Sequence, residues 1–370
     1  MSKKLRIGIA GCGNIADNHF QAYNSVSDVE VVGVCDVDLG RAEQFAAERN
    51  IPHAAGSVAG LLDLDIDIIS VCTPHPTHEQ VVVEAAQRGV HILCEKPIAI
   101  SSDSARRMTA AAKEAGVKLG VLFQRRFWPA AQKLRDAIDD GRIGQPILGS
   151  CSILLHRDSA YYGSAAWRGT WETDGGGVLM TQGIHYIDLL QWYMGDVIEA
   201  SAQIRTLVFK DEIEVEDVAV ATLSFASGAV ATVTATTGAD PSLGARVHVI
   251  GSRGASASVS EFPEGAEGVC DLWAIPGEAD HVDLFDKGLG TNIPIAQINA
   301  ELMPFHRLQV ADFVSAVLND SEPAVTGEEA LKSLEIIAAI YESARLGKPV
   351  QPRYSSTAAT EGAAVVGQRA

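Results

Sequence analysis

Short apolar runs alternate with amphipathic segments over the first third of the chain. Residues 29–35 and 66–72 are almost entirely apolar, which predicts strands covered on both faces, as in a parallel sheet. Residues 39–50 and 102–115 repeat apolar positions at helical spacing. Strands and helices that alternate at these lengths form a doubly wound, Rossmann-type parallel sheet. We therefore predict an α/β domain over residues 1–124.

The pattern changes after about residue 125. Several segments become rich in Val and Thr and partly alternate, with glycine-containing turns at 227–228 and 251–254. These features predict a mostly antiparallel sheet in a second, α+β domain over residues 125–354. The predicted strands are 198–209, 218–225, 229–236 and 245–259, and the predicted late helices are 304–319 and 327–346. Residues 355–370 lack apolar periodicity and are expected to form a tail.

Composition narrows the possible partners. The chain has 370 residues, and its 47 acidic against 29 basic residues give a net charge of −18, which argues against nucleic acid. No apolar run is long enough for a bilayer and no signal-peptide core follows Met1, so we expect no membrane association and a cytoplasmic location. The six cysteines occur singly, and His75 and His78 lie in a proline-broken loop without a third ligand, so no metal site is expected.

The first strand ends in a glycine-rich turn. In Gly11-x-Gly13-x-x-Ala16 the first glycine permits a tight turn, the second lets backbone approach a pyrophosphate, and the third small residue lets a helix pack closely. Asp36 ends the second strand, where a carboxylate accepts hydrogen bonds from ribose hydroxyls and repels a 2′-phosphate. No Arg or Lys follows it before Arg41. NAD is therefore expected in preference to NADP.

Three further loops follow strands of the same predicted sheet. Ligands of open parallel sheets bind at the carboxyl ends of the strands, so these loops are expected on the cofactor side. The residues expected to contact the cofactor are Gly11, Cys12, Gly13, Asn14, Ile15, Asp36, Val37, Arg41, Thr73, Pro74, His75, His78, Glu95, Lys96 and Gln124.

A run of three glycines, residues 175–177, precedes a strongly periodic segment that ends at Gly195. This start and stop predict a helix over 178–195. Within it Thr181, His185 and Asp188 have i, i+4, i+7 spacing and are expected to share one polar face.

These motifs together resemble the Gfo/Idh/MocA oxidoreductases. The resemblance rests on the glycine turn, Asp36, the loop from Thr73 to His78, Glu95-Lys96-Pro97, and Gly175-Gly176-Gly177 followed by His185 and Asp188. It covers about residues 5–350. It implies a Rossmann domain, an open C-terminal sheet whose outer face commonly forms a dimer interface, and NAD(P)-linked oxidation or reduction of a CH–OH group on a sugar or polyol. A homo-oligomer, dimer or tetramer, is therefore expected.

The resemblance also implies residue roles. Lys96 matches the lysine that the family places between nicotinamide and substrate, and His185 matches its histidine acid/base. The family usually has Asp four residues before that histidine, where this chain has Thr181. Threonine cannot ionise, so it can hold a hydroxyl but cannot compensate an imidazolium. Some members that act on nucleotide sugars are similar in having a neutral residue there.

Two mechanisms remain open from sequence. Either His185 removes the hydroxyl proton while cationic Lys96 stabilises the developing alkoxide, or Lys96 itself is the base. Aromatic and arginine side chains before the triple glycine suit a sugar with hydroxyl or anionic groups. Expected substrate contacts are Thr181, Arg168, Trp167, Tyr161, Arg126 and Asp188.

The expected function is NAD-dependent interconversion of a secondary alcohol and a ketone on a sugar, glycoside or polyol. The alternatives are a dehydrogenase of nucleotide sugars of the UDP type, and a non-catalytic NAD-sensing protein.

Overall fold

A computed structural model describes residues 4–278, 281–282 and 294–354. The first part of the chain forms a six-stranded parallel sheet of order β3-β2-β1-β4-β5-β6, which confirms the predicted doubly wound fold. The strands are β1 (Leu5–Ala10), β2 (Val29–Cys35), β3 (His53–Ala55), β4 (Ile68–Val71), β5 (His91–Cys94) and β6 (Leu119–Val121). Every residue of β4 is buried, as expected for a strand with helices on both faces. The short edge strand β3 carries no long apolar run and was not predicted.

The helices of this part begin and end at local signals. The Asp38 side chain caps α2 by accepting from Arg41 N, and Ser101 caps α5 by accepting from Ser104 N. Gly116 ends α5 in the left-handed conformation, with φ +67°. The helices are α1 (Ala16–Asn24), α2 (Leu39–Arg49), α3 (Val58–Leu62), α4 (His78–Gln87), α5 (Ser102–Ala115) and α6 (Pro129–Asp139).

The second part is an eight-stranded sheet of order β14-β13-β12-β11-β7-β10-β9-β8. Only the β7–β10 pairing of the described residues is parallel, and the others are antiparallel, so the predicted mostly antiparallel sheet is confirmed. The strands are β7 (Pro146–Leu154), β8 (Val197–Arg205), β9 (Val218–Phe225), β10 (Val230–Thr236), β11 (Gly244–Gly251), β12 (Ser256–Glu261), β13 (Val269–Ala274) and β14 (His281–Val282). The strands β13 and β14 were not predicted.

The two faces of this sheet differ. Side chains alternate between buried and more accessible along β9 and β10, so one face is covered. The remaining helices are α7 (Ser159–Gly163), α8 (Ile184–Met194), α9 (Ile295–Leu318) and α10 (Gly327–Leu346). Among them α8 packs on β7 and β11, and α10 packs on β8. On the other face, apolar side chains such as Leu148, Val220 and Val230 are 43%, 52% and 49% exposed.

The predicted helix 178–195 is not uniform. A π-helical turn, Leu179–Gly183, precedes α8. Thr181 lies inside this π turn, whereas His185 and Asp188 follow it in α8, so the three residues do not belong to one continuous α-helix. Thr181 is partly exposed, whereas Asp188 is fully buried.

The helix α9 completes the core of the first part. It begins at Ile295 rather than at Pro304, because its first turns pack along α1. Phe313 of α9 lies in one cluster with Ile7 and Ile68 of the parallel sheet. The division near residue 124 stays a prediction, and the predicted tail 355–370 lies outside the described residues. Within the described part of the chain, no helix has both the length and the apolarity needed to cross a bilayer.

Candidate active site

The turn between β1 and α1 has the shape that a pyrophosphate requires. Gly11 has φ +91°, and a Cβ there would lie 2.7 Å from the carbonyl oxygen of Cys72. Gly13, in contrast, faces open space, with nothing within 4 Å of an added Cβ. No side chain caps the N-terminus of α1. Its first backbone N–H groups are therefore available to an anion, as at other phosphate-binding helix termini.

Asp36 is fixed at the end of β2. It is 9% exposed, and its two oxygens accept hydrogen bonds from the backbone of Cys12 and of Asp38, both at 3.0 Å. The Arg41 guanidinium lies 3.5 Å from Asp36 and 3.8 Å from Asp38, so two carboxylates share its charge. Val37, also a predicted cofactor contact, is 97% exposed beside them. A carboxylate oxygen still has lone pairs for ribose hydroxyls.

The loop after β4 is tied to its neighbours by two histidines. The buried His78 ring places its nitrogens 3.0 Å from the Pro97 carbonyl oxygen and 2.9 Å from that of Thr73. His78 therefore joins two cofactor-side loops, and its predicted contact with the cofactor stays a prediction. His75 instead packs against Trp167 of the second part, with ring centroids 5.0 Å apart.

Lys96 follows β5 and reaches across to the π turn. Its Nζ donates to the carbonyl oxygen of Thr181 at 2.9 Å. Burial lowers the pKa of Lys96 to about 8, against the opposing effect of Glu95 and with help from Arg125 and Arg168. A lysine in this state exchanges its proton near neutral pH.

Glu95 lies beneath this lysine. It accepts from the backbone N–H of Lys96 at 3.0 Å, and its other oxygen lies 3.0 Å from His19 Nε2 and 3.5 Å from His306 Nε2. Burial would raise the pKa of Glu95, but hydrogen bonds to the two histidines hold it well below its usual range. The ionised Glu95 thus fixes the backbone that carries Lys96.

His185 lies in α8, about one helical turn after Thr181 of the π turn. It is 4% exposed, and its ring meets Phe123 edge-on at 5.8 Å. Burial, then the charges of Arg125 and Lys96, hold its pKa well below the usual value, so the imidazole is neutral. Its Nδ1 has no hydrogen-bond partner among the described residues.

Two adjacent arginines after β6 are used within the fold. Arg125 makes two bonds to Glu261 at 2.7 and 3.0 Å, and Arg126 makes two bonds of 2.7 Å to Asp188. Ser333 also donates to Asp188 at 3.0 Å. The prediction that Arg126 and Asp188 contact substrate therefore disagrees with this geometry, because each satisfies the charge of the other in the interior.

The predicted aromatic loop contacts the π turn. Tyr161 Oη accepts from Arg168 Nη1 at 2.8 Å and from Gln182 Nε2 at 3.0 Å. The Thr181 hydroxyl donates to the carbonyl oxygen of Gly177 at 2.8 Å, and it also bonds Gln182. Thr181 thus supports the π turn through its hydroxyl and holds Lys96 through its carbonyl.

Glu216 binds the backbone at the end of the triple glycine, a role that the sequence did not predict. Its carboxylate accepts from the backbone of Gly177 and Leu179 at 2.8 and 2.9 Å, and from Tyr341 Oη at 2.9 Å. A Cβ on Gly177 would lie 1.8 Å from the Glu216 carbonyl oxygen, which explains that glycine. No local pattern marks Glu216, since it lies between strands far from the glycines it supports.

Gln124 provides a further test of whether a nicotinamide cofactor fits. It is 3% exposed at the end of β6, and its Oε1 has no hydrogen-bond partner among the described residues. A buried amide oxygen without a partner is costly, and a carboxamide N–H of the cofactor would satisfy it. Together with the open space at Gly13 and the carboxylate of Asp36, this atom shows that the cleft fits an NAD-type dinucleotide.

Two family models match the chain. Residues 5–123 match the oxidoreductase family with an NAD-binding Rossmann fold, and residues 131–257 match the GFO/IDH/MocA C-terminal domain. The two matched regions correspond to the parallel sheet and to most of the second sheet.

Similar proteins span nearly the whole chain. The uncharacterized oxidoreductase YrbE of Bacillus subtilis is 30% identical over 95% of this chain and 97% of its own. The D-apiose dehydrogenase of Paraburkholderia graminis is 28% identical, with 94% and 90% covered. The scyllo-inositol 2-dehydrogenase (NAD(+)) of Bacillus subtilis is 28% identical, with 95% and 97% covered.

A solved structure shares both the fold and a comparable identity. The WlbA dehydrogenase from Bordetella pertussis, in complex with NADH and UDP-GlcNAcA, superimposes with a TM-score of 0.81 at 31% identity, over 94% of this chain and 99% of that one. The family models, the full-length relatives and this solved structure agree on the family and the fold. The chain belongs to the Gfo/Idh/MocA family of NAD-binding oxidoreductases.

Proposed function

We propose that this protein is an NAD-dependent dehydrogenase that interconverts a secondary alcohol and a ketone on a sugar, glycoside or polyol. The observation that carries the proposal is the placement of the Lys96 ammonium on the Thr181 carbonyl, one helical turn before the neutral imidazole of His185. Lys96 follows β5 at the carboxyl end of the parallel sheet, where such folds bind their ligands, and the ring of His185 in α8 meets Phe123, which follows β6.

When bound, NAD supplies the hydride acceptor, so alcohol and NAD⁺ give ketone, NADH and one proton. The protein must accept that proton, and Lys96 is the better base. A proton on His185 would place an imidazolium beside the charges of Arg125 and Lys96, which already lower its pKa. Lys96, whose pKa is about 8, can lose and regain a proton near neutral pH. His185 then holds the substrate oxygen by a hydrogen bond from its neutral ring.

The proposed cofactor is NAD rather than NADP. The buried carboxylate of Asp36 lies where a 2′-phosphate would have to be placed, and like charges repel. The nearby guanidinium of Arg41 is already shared by Asp36 and Asp38. Tight binding of NAD⁺ and weak binding of NADP⁺ in a titration would support this preference.

The named relatives favour neutral sugars and polyols. They include the D-apiose dehydrogenase, the scyllo-inositol 2-dehydrogenase and a D-glucoside 3-dehydrogenase of Escherichia coli that matches over 52% of this chain. A second candidate substrate is a UDP-sugar. It is favoured by the neutral Thr181 and by the similarity to WlbA, whose solved structure contains UDP-GlcNAcA.

The test is absorbance at 340 nm with NAD⁺ and a panel of inositols, aldoses, glycosides, uronic acids and UDP-sugars. Turnover of one class supports the dehydrogenase and identifies its substrate. If NAD binds tightly but every class in the panel and every ketone in the reverse direction stays inert, the protein is an NAD sensor and the proposal is wrong. A sensor has no use for the buried Lys96 and His185 pair.

The exposed apolar face of the second sheet suits a homo-oligomer. Leu148, Val220 and Val230 project from neighbouring strands of this face, and together they form an accessible apolar surface. We propose that two copies pair through it. Light scattering of the wild type and of Val220→Lys would show a dimer or tetramer that dissociates in the variant. The six free cysteines fit a reducing, cytoplasmic location.

A further inference from the structure

A chain of contacts leads from the candidate base to one arginine. Lys96 Nζ donates to the carbonyl oxygen of Thr181, and the next residue, Gln182, donates through Nε2 to Tyr161 Oη. Arg168 Nη1 donates to the same Tyr161 Oη at 2.8 Å. The guanidinium of Arg168 is thereby held on the same side of the cleft as the reacting groups.

Aromatic rings hold this guanidinium in place. Its Cζ lies 4.5 Å from the centroid of Tyr161 and 4.4 Å from that of Trp167, within cation–π range. Trp167 in turn contacts His75 of the cofactor-side loop. Nε donates to Ser164 Oγ at 3.2 Å, whereas Nη2 has no hydrogen-bond partner among the described residues. The arginine is therefore positioned, but one edge of its donor fork is available.

The Arg168 guanidinium also forms no ion pair among the described residues. The neighbouring site arginines each pair with a carboxylate: Arg125 with Glu261, Arg126 with Asp188, and Arg157 with Glu264. Among the described carboxylates, none lies within salt-bridge distance of Arg168. The nearby Asp174 accepts from the Gly169 backbone at 2.9 Å, and burial raises its pKa to about 6 although that hydrogen bond and the charges of Arg168 and Lys96 oppose the shift. In a protein with a net charge of −18, a free arginine inside the cleft is unusual.

We infer that Arg168 binds a carboxylate of the substrate, so that the substrate is a uronic acid or another carboxylated sugar rather than a neutral polyol. The inference rests on the proposed function and names its substrate class. A planar carboxylate matches the free edge of the fork, and the flanking rings suit the faces of a sugar. A single free arginine supplies less charge and fewer donors than a phosphate generally requires.

The experiment compares sugars that differ only in the group at C6: glucuronate with glucose, and galacturonate with galactose, with glucose 6-phosphate as a separate arm. The proteins are the wild type, Arg168→Gln, Arg168→Lys, and Arg345→Gln as a matched loss of one charge. Arg345 is an exposed arginine of α10 paired with Glu342. Steady-state rates at 340 nm give kcat/KM, and quenching of tryptophan fluorescence in the NADH complex gives an independent Kd for each acid.

The wild type is expected to prefer the acid over its neutral counterpart by at least about tenfold in kcat/KM. Arg168→Gln is expected to reduce that preference by about 10- to 100-fold, mainly through KM and Kd, because a hydrogen bond to a charged group is lost. Arg168→Lys should retain part of the preference, since it keeps the charge without the fork. Rates with neutral sugars should stay within about threefold of the wild type in Arg345→Gln.

Several outcomes would overturn the inference. If the wild type oxidises neutral sugars as well as acids, or if Arg168→Gln slows both alike, the carboxylate contact is wrong while the dehydrogenase proposal stands. A stronger preference for glucose 6-phosphate would make the anion a phosphate and would also refute it. If no acid binds but another class of the wider panel is oxidised, the inference fails alone; if every class of that panel and every ketone in the reverse direction stays inert, the proposed function fails with it.

Discussion

Replacing Lys96 by alanine should separate chemistry from cofactor binding. The substitution removes the candidate base but leaves the glycine turn and Asp36, which carry the proposed contacts to the dinucleotide. Loss of a positioned base costs about 10²- to 10⁴-fold. We therefore expect kcat to fall by about that factor, with the Kd for NAD⁺ within about threefold of the wild type.

The pH profile provides the sharper measurement. Burial, Arg125 and Arg168 lower the pKa of Lys96, and Glu95 and Asp174 oppose them, which leaves it at about 8. The unprotonated amine is the active form for oxidation. Below this pKa the active fraction rises tenfold per pH unit, so kcat/KM should climb with unit slope and level off above pH of about 8. The inflection should be absent in Lys96→Ala.

The assay is the initial rate at 340 nm between pH 6 and pH 10 with the best substrate of the panel. Lys113→Ala serves as the control, because Lys113 is an exposed lysine in the last turn of α5. Methylamine, added to Lys96→Ala, should restore part of the rate in a saturable way by supplying the missing amine. An inflection near pH 8 that persists in Lys96→Ala, or a loss of kcat below tenfold, would refute the role of Lys96 as base.

Three further predictions concern the groups around this base. Asp188→Asn should lower the free energy of unfolding by about 3–5 kcal/mol in urea titration, because Arg126 stays buried without its main partner, and the Kd for NAD⁺ should not change. Asp36→Ala should reduce the preference for NAD⁺ over NADP⁺ by at least about tenfold in fluorescence titration, since the repulsion of a 2′-phosphate is removed. Burial raises the pKa of Glu216 from 4.5 to about 7, so the folded state holds this proton longer than the unfolded state does. As pH rises from about 4.5 to about 7, the contribution of Glu216 to the free energy of unfolding should therefore fall by about 3 kcal/mol. Over the same range the Tm of the wild type should fall relative to that of Glu216→Gln.

Much of the fold was accessible from sequence because it depends on local patterns. The nearly all-apolar run at β4 is typical of a strand that is covered on both faces. The glycine turn before α1 is typical of a tight turn in which a side chain would clash. The order of strands and helices then fixes where their ends meet, and this is why Asp36 and Lys96 could be placed on the cofactor side. The edge strand β3 and the strands β13 and β14 lack such patterns and were missed.

The candidate site was harder to predict from the sequence, because its charged side chains pair with residues that lie far away along the chain. Thr181, His185 and Asp188 have helical spacing, but Thr181 lies in a π turn and the other two lie in the α-helix that follows it, and no local sequence pattern predicts that turn. Arg126 stands beside Arg125 and looks like part of a basic patch. Only the fold shows that carboxylates about 60 and 140 residues away along the chain neutralise both guanidiniums.

Lys96 is held by residues from both parts of the chain. Its backbone is held by Glu95, whose charge depends on His19 from α1 and His306 from α9. Its ammonium is held by the carbonyl of Thr181 in the second part. Because the side chain of Thr181 is uncharged, residue 181 adds no counter-charge to those of Glu95 and Asp174, and burial outweighs them in lowering the pKa of Lys96. The neutral Thr181 is therefore compatible with catalysis in which lysine, rather than histidine, takes the proton.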